Sequence, residues 1–268
     1  MRNLIKNQTA FITGASSGIG KACAEQFAEL GVNLVITARR LDSLKELARK
    51  LSSQHNIQCI PIELDVRSNE QVEAVFKKLE NDKIEVDILV NNAGLALSID
   101  KFQDGNVNNW DTMIDTNIKG VLYVTRAALP SMIKRNQGHI INIGSVAGHG
   151  CYASGNVYCA TKYAVRALSK SLRMDLFGTK LRVSEVDPGA VETGFSEVRF
   201  NDKEKAKKLY QGFSPLLAED IADTVIYCAT RPLHVNIAEI VVFPQAQSSL
   251  TEICRQGETP KDVFSSIK

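Results

Sequence analysis

A short apolar run, Thr9-Ala10-Phe11-Ile12-Thr13, leads directly into Gly14-Ala15-Ser16-Ser17-Gly18-Ile19-Gly20 and then into a segment of helical period that ends near Leu30. Strand, glycine turn and helix in that order restrict the chain to α/β folds in which backbone N–H groups at a helix N-terminus receive a pyrophosphate. The spacing is G-x-x-x-G-x-G rather than G-x-G-x-x-G. Glycines alone at this spacing also suit a tight turn with no ligand, and it is the strand before and the helix after that favour a phosphate.

The same alternation continues along the chain. Strands are expected at Asn33–Thr37, Ile57–Leu64, Asp87–Val90, Gly138–Ile143, Leu181–Val186 and Ile237–Phe243, and helices at Leu41–Leu51, Glu70–Leu79, Trp110–Arg135, Val157–Phe177 and Ala218–Thr230. Such regular alternation predicts a parallel sheet with helices on both faces and ligands at the carboxyl ends of the strands. With 268 residues the chain suits one domain over 1–244, a charged strandless cover at 190–215, and a polar tail at 245–268. The two longest central helices carry apolar residues on more than one side, among them Val121, Val124, Val165 and Leu168, so one face should meet the sheet and another a partner chain.

Hydrophobic residues make up 44% and charged residues 23%, with a net charge of +2. That balance gives no reason to expect a nucleic-acid or membrane partner, and no apolar run is long enough to span a bilayer. The six cysteines and four histidines show no metal-ligand spacing, and reduced thiols in a cytoplasmic setting account for them.

Chemistry gathers at the strand ends. Tyr158 and Lys162 lie one turn apart on one helix face, so the ammonium can stand near the phenol and lower its pKa from near 10 toward about 7. After the second strand an NAD-preferring fold usually carries an acid for the ribose 2′-OH. Here Ala38 takes that place, followed by Arg39 and Arg40, which can fork onto the 2′-phosphate of NADP or simply begin an exposed helix. Asp65, followed by Val66, can accept from an adenine amino group. Asn91 and Asn92, ahead of Ala93 and Gly94, can tie strand ends together or touch a cofactor. Asn117 is poorly placed in mid-helix unless its side chain is needed. Within the cover, Arg199 stands among Phe195, Val198 and Phe200, either to receive a substrate carboxylate or to form a salt bridge on the lid.

Thr13-Gly14-Ala15-Ser16-Ser17-Gly18-Ile19-Gly20, Asn91-Asn92-Ala93-Gly94, Asn117, Ser145, Tyr158-x-x-x-Lys162 and Pro188-Gly189 together resemble the short-chain dehydrogenase/reductase family, from about Lys6 to Phe243. Looser segments, Asn92-Ala93-Gly94-Leu95-Ala96-Leu97, Phe195 to Phe200, and Pro232 to Ile237 with Phe243-Pro244, resemble the NADP-dependent 3-hydroxy acid dehydrogenases, including those named serine 3-dehydrogenase or malonic semialdehyde reductase. The resemblance implies a Rossmann-type, doubly wound seven-stranded sheet in the order 3-2-1-4-5-6-7, in a homotetramer or homodimer. It implies that Tyr158 moves the proton, Lys162 tunes it and holds the nicotinamide ribose, Ser145 binds the reacting oxygen, and Asn117 positions a relay water. Pro188, Gly189, Val191 and Thr193 would touch the nicotinamide end, and His149, where related sequences vary, would face the substrate. Reduction of unrelated ketones or aldehydes is the alternative activity, and a non-catalytic NADP(H) sensor the most distant one.

Overall fold

The computed structural model describes residues 5–255. Seven strands form one parallel sheet: β1 Thr9–Thr13, β2 Asn33–Ala38, β3 Cys59–Glu63, β4 Ile88–Asn91, β5 His139–Ile143, β6 Arg182–Pro188 and β7 Glu239–Val242, in the order β3-β2-β1-β4-β5-β6-β7. That is the expected order. The strands are short apolar runs because nearly every position in β1, β2, β4 and β5 is covered on both faces, and parallel strands connected by helices have no solvent side to keep polar.

Helices α1 Gly18–Glu29, α2 Leu41–His55 and α9 Ala218–Ala229 cover one face, over a core that includes Phe27, Leu34, Leu44 and Ile221. Helices α3 Asn69–Asn81, α5 Gly120–Arg135 and α6 Asn156–Asp175 cover the other, over Phe11, Leu89, Met132 and Ile140. Phe11 stacks on Phe76 at 4.9 Å between centroids. The face-alternating residues of β1 therefore divide the core: Phe11 belongs to one layer, Ala10 and Ile12 to the other.

Several expectations are corrected. The helix expected over Trp110–Arg135 is two helices, α4 Val107–Ile114 and α5, joined by a π turn at Asp115–Lys119. The turn falls on Asn117, whose buried amide is bonded outside its own helix; an extra residue per turn is how a helix accommodates such a side chain. Strand β6 does not end at Val186 but runs through Pro188. The nitrogen that proline removes as a donor faces the β5 side, where that strand has already ended, while Gly189 N–H still reaches Val242 O at 2.7 Å. The cover contains two short helices, α7 Phe195–Phe200 and α8 Lys203–Leu209, the latter capped by Asp202. The tail is not uniformly exposed: buried Gln247 accepts from Ala190 N–H at 2.8 Å, and residues 256–268 lie outside those described.

Val121, Val124 and Val165 are buried in the chain's own core. The exposed apolar side chains of α5 and α6 are instead Leu122, Ile133, Tyr163 and Met174, followed by Phe177. No described helix is long and apolar enough to cross a membrane.

Candidate functional site

The strand order reverses between β1 and β4, and the rule for open parallel sheets puts a crevice at the carboxyl ends of the strands there. At its floor, Gly14 and Gly18 have positive φ, +66° and +55°. A Cβ on Gly20 would overlap the Asn92 amide and the Gly14 carbonyl, so glycine is required for the backbone to close there. Asn92 N–H and Ala93 N–H both donate to Thr13 Oγ1 at 2.9 Å, and Asn92 Nδ2 donates to Thr13 O at 2.8 Å, which locks the β4 exit against the glycine turn. Asn91 is used differently. Its buried amide donates to Thr125 Oγ1 and Asn142 Oδ1, both at 2.9 Å, tying β4 to α5 and β5.

At the end of β2, Ala38 is followed by exposed Arg39 and Arg40, and Arg40 Nη2 donates to Ser16 Oγ at 3.2 Å. Ser17 stands at the N-cap of α1 with Ile19 in its first turn. Asp65 accepts from Arg67 Nε at 2.9 Å, and that hydrogen bond holds its carboxyl below the usual range, with the charge of Arg39 adding to it. Arg67 was not foreseen from the sequence; an arginine two residues past a strand-end acid was the available signal. Val66 packs against Gly120 at the start of α5, where any Cβ would crowd it.

Four side chains meet beyond the glycine turn. Tyr158 and Lys162 share a face of α6, and Ser145 follows β5. Burial pushes the Tyr158 phenol above its ordinary pKa, and its hydrogen bond with Ser145 pulls the other way. The expected lowering by Lys162 is not found. Lys162 Nζ donates to Ile143 O at 2.9 Å and stands 5.9 Å from the Tyr158 ring centroid, while burial brings its own pKa down to about 8. Asn117 Nδ2 donates to Leu95 O at 2.8 Å and to Thr161 Oγ1 at 3.0 Å, and its Oδ1 accepts from Leu95 N–H at 2.9 Å. Asn117 and Lys162 flank Gly94, lying 3.4 and 3.8 Å from where its Cβ would be.

The cover closes over Tyr158. The Phe195 ring lies 5.8 Å from it and the Arg199 guanidinium 5.9 Å. Arg199 also stands 5.2 Å over Tyr152, to which it is hydrogen-bonded; among the described residues it has no carboxylate within salt-bridge distance, and its buried Nε has no partner. Tyr152 was not foreseen, since nothing in its spacing marks a loop tyrosine as a neighbour of a lid arginine. Thr193 lies 3.5 Å from where a Gly18 Cβ would be, so the lid begins against the glycine turn, and Val191 pairs with Leu216 to close the lid at its base. Ser196 Oγ and Val191 O both bond Tyr210 Oη, at 2.6 and 2.7 Å. His149 turns its Nε2 to Asp187 Oδ2 at 3.0 Å and Glu239 Oε1 at 3.3 Å, which directs it toward β6 and β7.

Residues 8–204 match the family model described as short chain dehydrogenase. The chain is 42% identical over 254 residues to the NADP-dependent 3-hydroxy acid dehydrogenase of Schizosaccharomyces pombe, covering 94% of this chain and 98% of the relative. It is 46% identical over 239 residues to the enzyme so named in Escherichia coli, covering 88% and 95%. Among solved structures it is similar to the closed form of serine dehydrogenase complexed with NADP+, with a TM-score of 0.86, 44% identity, and coverage of 93% of this chain and 100% of that one.

Proposed function

The chain belongs to the short-chain dehydrogenase family, and we propose that it is an NADP(H)-dependent oxidoreductase interconverting small 3-hydroxy acids, of the serine, allo-threonine, 3-hydroxypropionate or 3-hydroxyisobutyrate type, with their semialdehydes or ketones. Arg199 carries the substrate reading: a cation beside the Tyr158 ring, with no carboxylate partner and an unused buried Nε among the described residues, is what a small carboxylate would seek.

The crevice fits the dinucleotide. Gly14, Gly18 and Gly20 let backbone amides approach a pyrophosphate, Ala38 offers no acid to a 2′-phosphate, and Arg39 and Arg40 offer donors. Bound there, NADP(H) gives or takes the hydride. Tyr158 gives or takes the proton at its phenol oxygen, and Ser145, hydrogen-bonded to that phenol, is placed to bind the reacting oxygen. Lys162 holds positive charge below the ring, and Asn117, fixed by Leu95 and Thr161, lines the proton's way past Gly94. Burial keeps the Tyr158 phenol protonated at neutral pH, the form that can give a proton to a carbonyl oxygen. Asn142 and Thr125 share the role of Asn91 in holding the strand ends. The six unpaired cysteines suit a reducing cytoplasm.

Steady-state rates on hydroxy acids and matched neutral alcohols, for the parent and Arg199→Ala, test the reading. The variant should raise KM for the acids at least tenfold more than for the alcohols; an equal effect on both removes the carboxylate role, and a parent inactive on every hydroxy acid rejects the substrate class.

A further inference from the structure

Behind Ser145 and Lys162 lies a buried ionic cluster that the reaction above leaves unused. Glu185 and Asp187, two apart on β6, share a strand face and press against Gly144, where any Cβ would overlap both carboxylates. Glu185 is 1% exposed, and neither of its oxygens has a hydrogen-bond partner of good geometry, although Asp187 and the Ser169 hydroxyl are close enough to be felt. Asp187 faces two ways: Oδ1 accepts from the Ser145 backbone N–H at 2.9 Å, and Oδ2 meets His149 Nε2 at 3.0 Å.

The charged groups around the pair are Glu239 on β7, His149 after the Val146–Gly148 turn, and Lys162, Arg166 and Lys170 on α6. Glu239 is neutralised by Arg166 at 3.0 Å and by Lys170 at 3.9 Å. His149, Asp187 and Glu239 bring ligand atoms within 4.8 Å of one another, yet a metal there would have to displace Arg166 from the Glu239 oxygen that faces it. The balance of charge therefore favours protons over a metal. Burial raises the pKa of both β6 carboxyls; the charge of Asp187 adds to the rise at Glu185 and that of Glu239 to the rise at Asp187, so the protonation of one carboxyl depends on its neighbours. Lys162 Nζ donates to Ile143 O at 2.9 Å, one residue before the Gly144 against which both carboxylates press, so the ammonium lies beside the pair, and Glu185 and Asp187 are the groups that sustain its charge against burial.

We propose that Asp187 and Glu185 are positioning residues for the reaction: Asp187 fixes the turn that carries the Ser145 hydroxyl, and the buried negative charge of the pair keeps Lys162 an ammonium. This rests on reading Tyr158 and Lys162 as the proton-handling pair. The design separates shape from charge, because an amide at either position keeps an oxygen acceptor and the same volume while removing the charge.

The test compares kcat and KM from pH 5.5 to 9.5 for the parent, Asp187→Asn and Glu185→Gln, with any carbonyl compound that the parent reduces. Loss of the charge lowers the Lys162 pKa, so the alkaline limb of kcat should move down by about one pH unit. That is about tenfold in rate on the limb, with rates at pH 6 within threefold of the parent and NADPH binding unchanged. A limb within 0.3 unit of the parent's in both variants, or a loss equal at every pH, overturns the proposal. Should Asp187→Asn not fold, Glu185→Gln carries the same expectation. A second readout needs no turnover. A carboxyl whose folded-state pKa is raised contributes stability at low pH that is lost as pH rises through that pKa, so Glu185→Gln should raise Tm at pH 8 and not at pH 5; a Tm difference independent of pH counts against a buried charge. Undiminished turnover by Lys162→Ala would instead reject the proton-handling pair, which keeps the two failures apart.

Discussion

The cofactor preference can be worked from three neighbouring residues. Ala38 ends β2 without an acid, Arg40 is held at the glycine turn by Ser16 at 3.2 Å, and Arg39 is near enough to Asp65 to bias its carboxyl. A charge-assisted hydrogen bond contributes about 1.5–3 kcal/mol, and both arginines are exposed, so the lower figure applies to each. At about 1.4 kcal/mol per tenfold, each arginine gives about tenfold, and the pair about a hundredfold, in favour of NADP. Arg39→Ala and Arg40→Ala should each lower kcat/KM with NADP about tenfold and leave the value with NAD within threefold. Ala38→Asp with Arg39→Ile should go further and reverse the order, because the carboxylate accepts from a free ribose and repels a 2′-phosphate. The assay is kcat/KM with each cofactor at fixed substrate. A parent that uses NAD as well as NADP, or single variants that leave the ratio unchanged, refutes the assignment. Adjacency to the end of β2 alone would make Arg39 the chief donor. The hydrogen bond from Arg40 to Ser16 is the reason for giving the two equal weight.

Tyr158→Phe should abolish turnover and spare NADPH binding; a rate within threefold of the parent contradicts the proton role. Light scattering at micromolar concentration should show a homotetramer or homodimer, with Leu122, Tyr163, Met174 and Phe177 on the covered faces; a monomer contradicts it. Arg182 donates to the carbonyls of Cys228, Ala229, Arg231 and Val235 at 3.0–3.3 Å, so Arg182→Met should cost about 3 kcal/mol by leaving buried acceptors unpaired, and an unchanged denaturation midpoint would refute this. Buried His139, bonded to Ser184 at 2.8 Å, stays neutral well below its ordinary pKa because of its burial and the nearby Arg182. The unfolded chain binds a proton near pH 6.5 that the folded chain does not, so stability should fall by up to about 1.4 kcal/mol per unit below that pH, and His139→Gln should flatten the loss.

The sheet was legible because doubly covered strands are apolar runs, and glycine and charge separate them from the helices. Its order came through resemblance. What escaped depended on tertiary need. Nothing periodic in 110–135 marks a π turn, yet its cause, a buried asparagine reaching Leu95 and Thr161, was visible as an ill-placed Asn117. The helices α7 and α8 are too short to establish a period. Glu185 falls inside the strand expected over Leu181–Val186 and Asp187 just beyond it, so the two were not paired, although two acids on one face of an otherwise buried strand were the available sign of a cluster. The pKa of Tyr158 could not be read from spacing, because its direction is set by burial and by where Lys162 points its ammonium.

The segment 190–216 leaves and rejoins the body at adjoining points. Leu216 N–H donates to Ala190 O at 3.0 Å and Glu192 N–H to Leu216 O at 2.8 Å, so the two ends are clasped whatever runs between them. Because joining the ends of a longer loop costs only logarithmically more entropy, this excursion can gain, lose or exchange residues without disturbing a strand. Arg199 and Phe195 lie within it, whereas Tyr158, Lys162 and Ser145 do not. On the proposed mechanism, substrate preference can therefore be changed by rewriting the clasped segment while Tyr158, Lys162 and Ser145 stay where the strand end and α6 hold them.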